Sequence, residues 1–335
     1  MKIIVPMAGM GKRMRPHTLT TPKPLLPIAG KSIVQRLVED LNKVSNEKVD
    51  EIAYIIGESF GPETEKNLKQ IAENLGAKGT IYYQREALGT AHAILCAAES
   101  LSGKVIVAFA DTLFKADFKL ESEKDGIIWV QKIEDPRAFG VVKVDSNNVI
   151  TDFVEKPETF VSDLAIIGIY YFKDGEYLRN ELQYLIDNNI KDKGEFQLTN
   201  ALENMKKKGT KFSPGAVSEW LDCGNKDATV YTNKRILEFN KNENLISEKA
   251  EIVESVIIQP CFIGDSVKIS GSVIGPHASI SAGSVIKDSI IKNSIIQASA
   301  KIINSHLDNS MIGNNVELNG TAQQVSIGDF TTVNN

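Results

Sequence analysis

The chain has 335 residues, of which 42% are hydrophobic and 24% charged, with a formal net charge of −5. That length suggests two domains of ordinary size, and the composition is that of a globular protein with ample material for a core. The acidic balance lacks the basic footprint of a general nucleic-acid binder. No stretch approaches the length needed to span a bilayer, and the first apolar segment is too short for a signal-peptide core, so a cytoplasmic protein without membrane attachment is expected. Cys96, Cys223 and Cys261 are an odd, scattered set. They imply neither a disulfide framework nor a structural zinc site.

The first thirty residues depart from this acidic average. An apolar strand (Ile3, Ile4, Val5) runs into a loop rich in glycine, proline and basic residues. From Met1 to Val38 there is no Asp or Glu, whereas Lys2, Lys12, Arg13, Arg15, Lys23, Lys31 and Arg36 are all basic. Ala8, Gly9 and Gly11 lie where the backbone leaves the strand. The glycines remove Cβ where the chain must bend and approach a ligand, and successive N–H groups there can form a concave nest for phosphate oxygens. Arg13 adds a planar bidentate fork and Lys23 a point charge. Pro22, Pro24 and Pro27 restrict the backbone around Lys23, giving its ammonium a defined origin. A P-loop is excluded because Pro6 and Arg13 stand where a glycine and a Ser or Thr are required. A dinucleotide fingerprint is excluded because Met14 stands where a third glycine is required, so no nicotinamide or flavin cofactor is expected.

In chain order, Ser32 with Gln35 reads as a capping box for a helix to about Val44. A strand over 52–56 follows, then a helix from about Pro62 to Gly76 with Leu68, Ile71, Ala72 and Leu75 at helical spacing. Next come a strand over 80–83, a helix from Thr90 to about Glu99 and a strand over 105–109. This alternation predicts an α/β fold with a doubly wound, mostly parallel, Rossmann-like sheet, whose ligands sit at the carboxyl ends of its strands. The first loop, Gln84 and Asp111 all fall there. Closely spaced strands over 127–130, 140–144, 149–155 and 166–172 predict a partly antiparallel insertion. Helices over 176–187 and 196–207, a strand ending at Trp220-Leu221-Asp222 and a helix over 226–240 complete a domain assigned to residues 1–244.

Beyond Asn244 aromatic residues nearly vanish. Ile252, Ile258, Ile263, Ile269, Ile274, Ile280, Ile286, Ile291, Ile296, Ile302, Leu307, Ile312 and Leu318 recur every five or six residues. That interval predicts a short parallel β-helix of roughly four coils over residues 245–335, each rung supplying one inward side chain.

The run from Ala8 to Pro27, Ala-Gly-Met-Gly-Lys-Arg-Met-Arg-Pro with Thr18 and then Pro-Lys-Pro-Leu-Leu-Pro, closely resembles the signature of sugar-1-phosphate nucleotidyltransferases. The repeats resemble the left-handed hexapeptide-repeat domain appended to many of them. The resemblance implies a reaction between a nucleoside triphosphate and a sugar-1-phosphate, with dTTP or UTP and glucose-1-phosphate favoured, in a homo-oligomer. The nucleophile is already an ionised phosphate, so cations rather than a general base are needed. By resemblance Arg13 is the catalytic arginine and Lys23 approaches the α-phosphate. Asp111 follows the strand over 105–109, where an acid is placed to hold Mg²⁺ against phosphate oxygens, although an acid there is also a common turn former. Asp222 resembles a second metal aspartate. Gln84 and Gly89 resemble a base-recognition segment, an amide being complementary to the imide edge of uracil or thymine. Gly140, Glu155, Lys156 and Tyr170 resemble sugar-side elements, and Lys193 a phosphate ligand. Three rivals stay open at this point: a nucleotide-sugar-binding regulatory subunit, an enzyme whose β-helix also transfers acyl groups from His277 or His306, and a phosphocholine-type cytidylyltransferase.

Overall fold

Ile3, Ile4 and Val5 are fully buried because their strand, β1 (Lys2–Pro6), runs through the middle of a sheet with parallel neighbours on both sides. A strand covered on both faces reads as a continuous apolar run rather than an alternation. The computed structural model describes residues 1–9, 11–116, 119–321, 326–328 and 331–332. Met10, in the first loop, lies outside the described residues. The chain divides into two compact units, residues 1–26 with 31–228 and residues 27–30 with 229–335.

In the first unit, β1 is followed by α1 (Ile33–Val44), β2 (Glu51–Ile56), α2 (Gly61–Asn74), β3 (Lys78–Tyr83), α3 (Thr90–Leu95) and β4 (Val105–Ala108). The order β4-β1-β2-β3 is parallel throughout, and the connection turns back across β1. A crevice at the carboxyl ends of such strands is the expected ligand site. Ser32 caps α1 by accepting the Gln35 N–H at 3.2 Å, while the Gln35 side chain donates onward to Glu39 instead of back to the cap, so only half of the capping box forms.

β5 (Thr112–Lys115), β6 (Gly126–Lys132), β7 (Gly140–Val144), β8 (Ile150–Glu155), β9 (Leu164–Phe172), α4 (Gly175–Asp187), α5 (Leu198–Lys207), β10 (Phe212–Ala216) and β11 (Glu219–Asp222) complete this unit. β9 runs antiparallel to β4, β6 and β7, and β10 joins β6 in parallel, giving a nine-stranded mixed sheet. The register of β9 slips between Ile166 and Tyr170, at Gly168 with φ of 85°. A left-handed residue in a strand costs little only for glycine, and the bulge re-aims the side chains beyond it.

In the second unit, strands two or three residues long stack in parallel in three sheets of five, four and four strands, consistent with a left-handed β-helix. Ile252, Ile269, Ile286, Ile302 and Leu318 stack in one column, and Ile263, Ile280, Ile296 and Ile312 in another. The third column is Ile257, Ile274, Ile291 and Leu307, so the sequence reading of Ile258 as an inward position is corrected by one residue. Ile258 is 43% exposed. A one-residue slip turns a strand side chain to the other face, and the paired Ile257-Ile258 gave no periodic means of choosing. Corners carry left-handed residues such as Asp288, Asn293, Asn304 and Asn309, types that tolerate that conformation. Inside, the Oγ atoms of Ser255, Ser272 and Ser289 accept the N–H of Ser272, Ser289 and Ser305 on the next coil, satisfying backbone donors that would otherwise be buried unpaired. Helix α6 (Lys226–Phe239) contributes Asn233, whose carbonyl oxygen accepts from Ala29 N at 2.9 Å and from Ser279 Oγ at 2.7 Å.

Candidate active site

The loop after β1 closes with two tight turns. Gly11 has φ of 56°, and the Met14 N–H donates to its carbonyl at 2.9 Å. Thr18 Oγ1 donates to the same carbonyl at 2.8 Å. A Cβ at Gly11 would lie 2.9 Å from Lys23 Cβ, so the glycine both permits the turn and makes room for the lysine. A Cβ at Gly9 would meet nothing within 4 Å. The two glycines therefore differ in what they serve: Gly11 serves the fold, and Gly9 leaves open space beside the crevice.

Lys23 begins a single 3₁₀ turn, Lys23–Leu25, set between prolines as the sequence implied. Its side chain is nearly buried, and the ammonium donates to Asp111 Oδ2 at 3.1 Å. Asp111 lies in the turn between β4 and β5 and not on the strand end itself, because the strand stops at Ala108. β11 pairs antiparallel with β5, Asp222 opposite Thr112, and Cys223 N donates to the Asp111 carbonyl at 2.9 Å. The hairpin-like pair thus brings the two aspartates together. Burial raises the Asp222 pKa, the charge of Asp111 raises it further, and Lys23, the Gly224 N–H and Arg13 pull it back. Among the described residues no cluster of three metal-ligating side chains forms. Two carboxylates that repel one another are nonetheless a hard oxygen donor pair suited to a divalent cation that keeps most of its own water.

Two cavities meet here. The larger, about 420 Å³, is lined by Ala8, Gly9, Gly11, Arg13, Lys23, Gln84, Gly89 and Asp111 among others. The smaller, about 230 Å³, is lined by Gly140, Glu155, Lys156, Tyr170 and Asp222 among others. Arg13, Thr90, Phe109 and Asp111 line both.

Gln84 follows β3, its N–H tied to the Ile56 carbonyl at 2.9 Å. Its side-chain nitrogen donates to the Gly89 carbonyl at 3.3 Å and lies 3.2 Å from His92 Nδ1. The amide hydrogens are turned inward, so it is the carbonyl oxygen that is left for a ligand, half of the donor and acceptor pair read from the sequence. Gly89 has φ of 114°, and a Cβ there would lie 2.4 Å from the Phe196 carbonyl oxygen, so no other residue fits. On the smaller side, Glu155 has Oε1 3.7 Å from Lys156 Nζ, and a Cβ at Gly140 would press on its Oε2 at 3.1 Å. Tyr170 is buried, which pushes its phenol well above the ordinary value. Lys193 lines neither cavity; its ammonium donates to the Lys156 carbonyl at 2.9 Å and steadies that turn.

Comparison with known proteins bears on the family of the chain. Residues 2–238 match the family model described as nucleotidyl transferase. The chain belongs to the nucleotidyl transferase family. It is 31% identical over 290 residues to the bifunctional protein GlmU of Methanococcus maripaludis strain C7, an alignment covering 86% of this chain and 62% of that protein. The chain therefore spans less than two thirds of that relative's length. It is 27% identical over 303 residues to glucose-1-phosphate thymidylyltransferase of Streptomyces antibioticus, covering 84% of this chain and 82% of the relative. Among solved structures, a nucleoside-diphosphate-sugar pyrophosphorylase from Vibrio cholerae RC9 covers 69% of this chain and 99% of its own at 21% identity, with a TM-score of 0.60, which shows the shared fold.

This nucleotidyltransferase also lines its smaller cavity with side chains to which the sequence reading gave no role. Phe139 and Trp220 meet edge to face with ring centroids 4.9 Å apart, and the indole N–H donates to Thr112 Oγ1 at 3.4 Å. Thr90 Oγ1 donates to Gln197 Oε1 at 3.1 Å and accepts from Leu198 N at 2.9 Å, tying the start of α3 to the start of α5. These contacts join residues more than eighty positions apart. No local motif encodes them.

Proposed function

We propose that the chain transfers a nucleotidyl group from dTTP or UTP to a sugar-1-phosphate, glucose-1-phosphate being favoured, and releases pyrophosphate. The observation that carries this reading is the pair of adjoining cavities with Arg13 and Asp111 on their shared boundary. A triphosphate in the larger cavity and a sugar phosphate in the smaller would meet at that boundary, which is where an α-phosphorus must lie for in-line attack.

In this reading an oxygen of the sugar phosphate forms the new bond to the α-phosphorus while the bond from that phosphorus to the bridging oxygen of pyrophosphate breaks. No proton has to be removed from the nucleophile. Lys23, its backbone held by the flanking prolines, exchanges its bond to Asp111 for phosphate oxygens, and Arg13 offers a fork of donors to oxygens gaining charge. Asp111 and Asp222 would hold Mg²⁺, which when bound supplies charge neutralisation to phosphate oxygens. The Gln84 carbonyl accepts the N3 proton of thymine or uracil, and the backbone at Gly9 allows close approach. Gly140, Glu155, Lys156 and Tyr170 receive the sugar, with Lys193 acting through Lys156 instead of touching phosphate.

The division of labour belongs to the same proposal, with catalysis in residues 1–244 and the β-helix of residues 245–335 serving assembly into a homo-oligomer. Val253 and Val256, 57% and 56% exposed, and the half-exposed Ile290 put aliphatic surface on the outside of the repeats. Light scattering of the full chain tests that part, a monomer being the contrary result. The relative named glucose-1-phosphate thymidylyltransferase supports the choice of substrates. No helix among the described residues is long and apolar enough to cross a membrane. A screen of nucleoside triphosphates against sugar-1-phosphates, read as pyrophosphate release with Mg²⁺ present, tests the reaction. Release only with dTTP or UTP together with a hexose-1-phosphate is expected; no release with any pair would contradict it.

A further inference from the structure

The Gln84 amide nitrogen lies 3.2 Å from the His92 ring. A glutamine amide presents a donor or an acceptor depending on a half-turn about its last bond, so a base reader of this kind is specific only if something forbids the turn. Gln84 is fixed at its backbone by the Ile56 carbonyl, and α3 is fixed separately by the bond from Ala91 N to the Phe196 carbonyl, both at 2.9 Å. The distance between the Gln84 amide and the face of α3 is thereby set by the fold.

Two atoms lie within reach of the amide nitrogen. The Gly89 carbonyl is at 3.3 Å, beyond the usual range for such a bond and a weak orienter by itself. His92 Nδ1 is at 3.2 Å. His92 is not among the residues that line the cavity. We infer that His92 is a specificity-determining positioning residue, its unprotonated Nδ1 holding the Gln84 NH₂ inward so that only the carbonyl oxygen is presented to the nucleotide base. A half-turn would set the amide oxygen against two acceptors, the Gly89 carbonyl and the Nδ1 lone pair. The ring must then carry its proton on Nε2 and be neutral. Burial lowers the His92 pKa, outweighing the opposing charge of Glu86, and so favours the neutral ring.

The consequence is selectivity. A fixed carbonyl accepts the N3–H of thymine or uracil and opposes the bare N3 lone pair of cytosine; an amide free to turn would serve either. This rests on the reading of Gln84 as the base contact, and the two can be separated by equilibrium binding of dTTP and CTP with Mg²⁺ present. In His92→Leu the preference for dTTP over CTP falls about five- to tenfold, the worth of one hydrogen bond in a partly buried site. His92→Asn, whose side-chain oxygen reaches the position of Nδ1, restores the preference to within about twofold of wild type. His92→Gln, whose amide reaches the position of Nε2, does not restore it, and this serves as the second variant should His92→Leu fail to fold. Gln84→Ala loses the preference as fully as His92→Leu does, and the double variant loses no more. If Gln84→Ala loses the preference while His92→Leu and His92→Gln keep it, Gly89 alone orients the amide and the inference is overturned. If Gln84→Ala itself keeps the preference, the reading beneath it fails, and the role of His92 falls with it.

Discussion

Lys23 Nζ lies 3.1 Å from Asp111 Oδ2, joining a nearly buried cation to a half-exposed acid 88 positions away in the chain. In the proposed reaction an arriving triphosphate would draw the ammonium from the carboxylate to phosphate oxygens and so free the carboxylate for a metal ion. Lys23→Ala should lower kcat by about 10²-fold or more, as losing one preorganised stabiliser of developing charge does. Arg13→Ala should do the same. Circular dichroism should show both variants folded, since Arg13 is exposed and Lys23 sits beside the crevice. Near-normal turnover in either would remove that residue from the chemistry.

The aspartates separate stability from function. Asp111→Asn and Asp222→Asn should each raise the Mg²⁺ concentration needed for half-maximal rate, because each removes a hard anionic ligand. In metal-free buffer at neutral pH, Asp222→Asn should melt higher by roughly 1–3 °C. The sign follows from the raised pKa of Asp222: the folded state disfavours the ionised carboxylate, through burial first and the charge of Asp111 second, and a neutral side chain escapes that cost. The difference should disappear as pH falls through the raised pKa and Asp222 itself becomes neutral. Calorimetry in EDTA across this range checks it, and an Asn variant that melts lower at neutral pH would show that the carboxylate is not under strain.

Gly9 and Gly11 should respond differently to the same change. Gly9→Ala should leave the melting temperature within about 1 °C, the added methyl meeting nothing in the protein. Its effect should be on the KM for nucleotide, raised severalfold where the ligand backbone passes. Gly11→Ala should destabilise the fold, because φ of 56° is strained for alanine and the methyl presses on Lys23 and Thr18. Equal melting temperatures for the two variants would mean the loop rearranges freely.

Much of this was readable from residue order. The continuous apolar run of Ile3, Ile4 and Val5 marked a strand, and the lack of any acid up to Val38 singled out the basic loop that lines the crevice. Gln84 was placed just after its strand by the alternation of elements, whereas Asp111, read as ending its strand, lies in the turn three residues beyond Ala108. What could not be read were contacts made by register and by distance. Ile257 and Ile258 are equally apolar, and only stacking against Ile274 distinguishes them. β10 (Phe212–Ala216) carries Pro214 and Gly215, which argue against a strand, yet it pairs with β6 at five positions. Lys193 has the charge of a phosphate ligand, and it is tertiary placement that spends that charge on the Lys156 carbonyl. The inward turn of the Gln84 amide is of the same kind, since His92 is eight residues away and nothing in the spacing says which atom it offers.

The most direct test follows two labels through one reaction. With dTTP, glucose-1-phosphate and Mg²⁺, label on the α-phosphorus should appear in a nucleotide sugar and label on the γ-phosphorus in pyrophosphate, in equal amounts, and both should be lost together in Arg13→Ala. Label from the γ-phosphorus in the sugar product, or α-label released only as free nucleoside monophosphate, would contradict nucleotidyl transfer at this site.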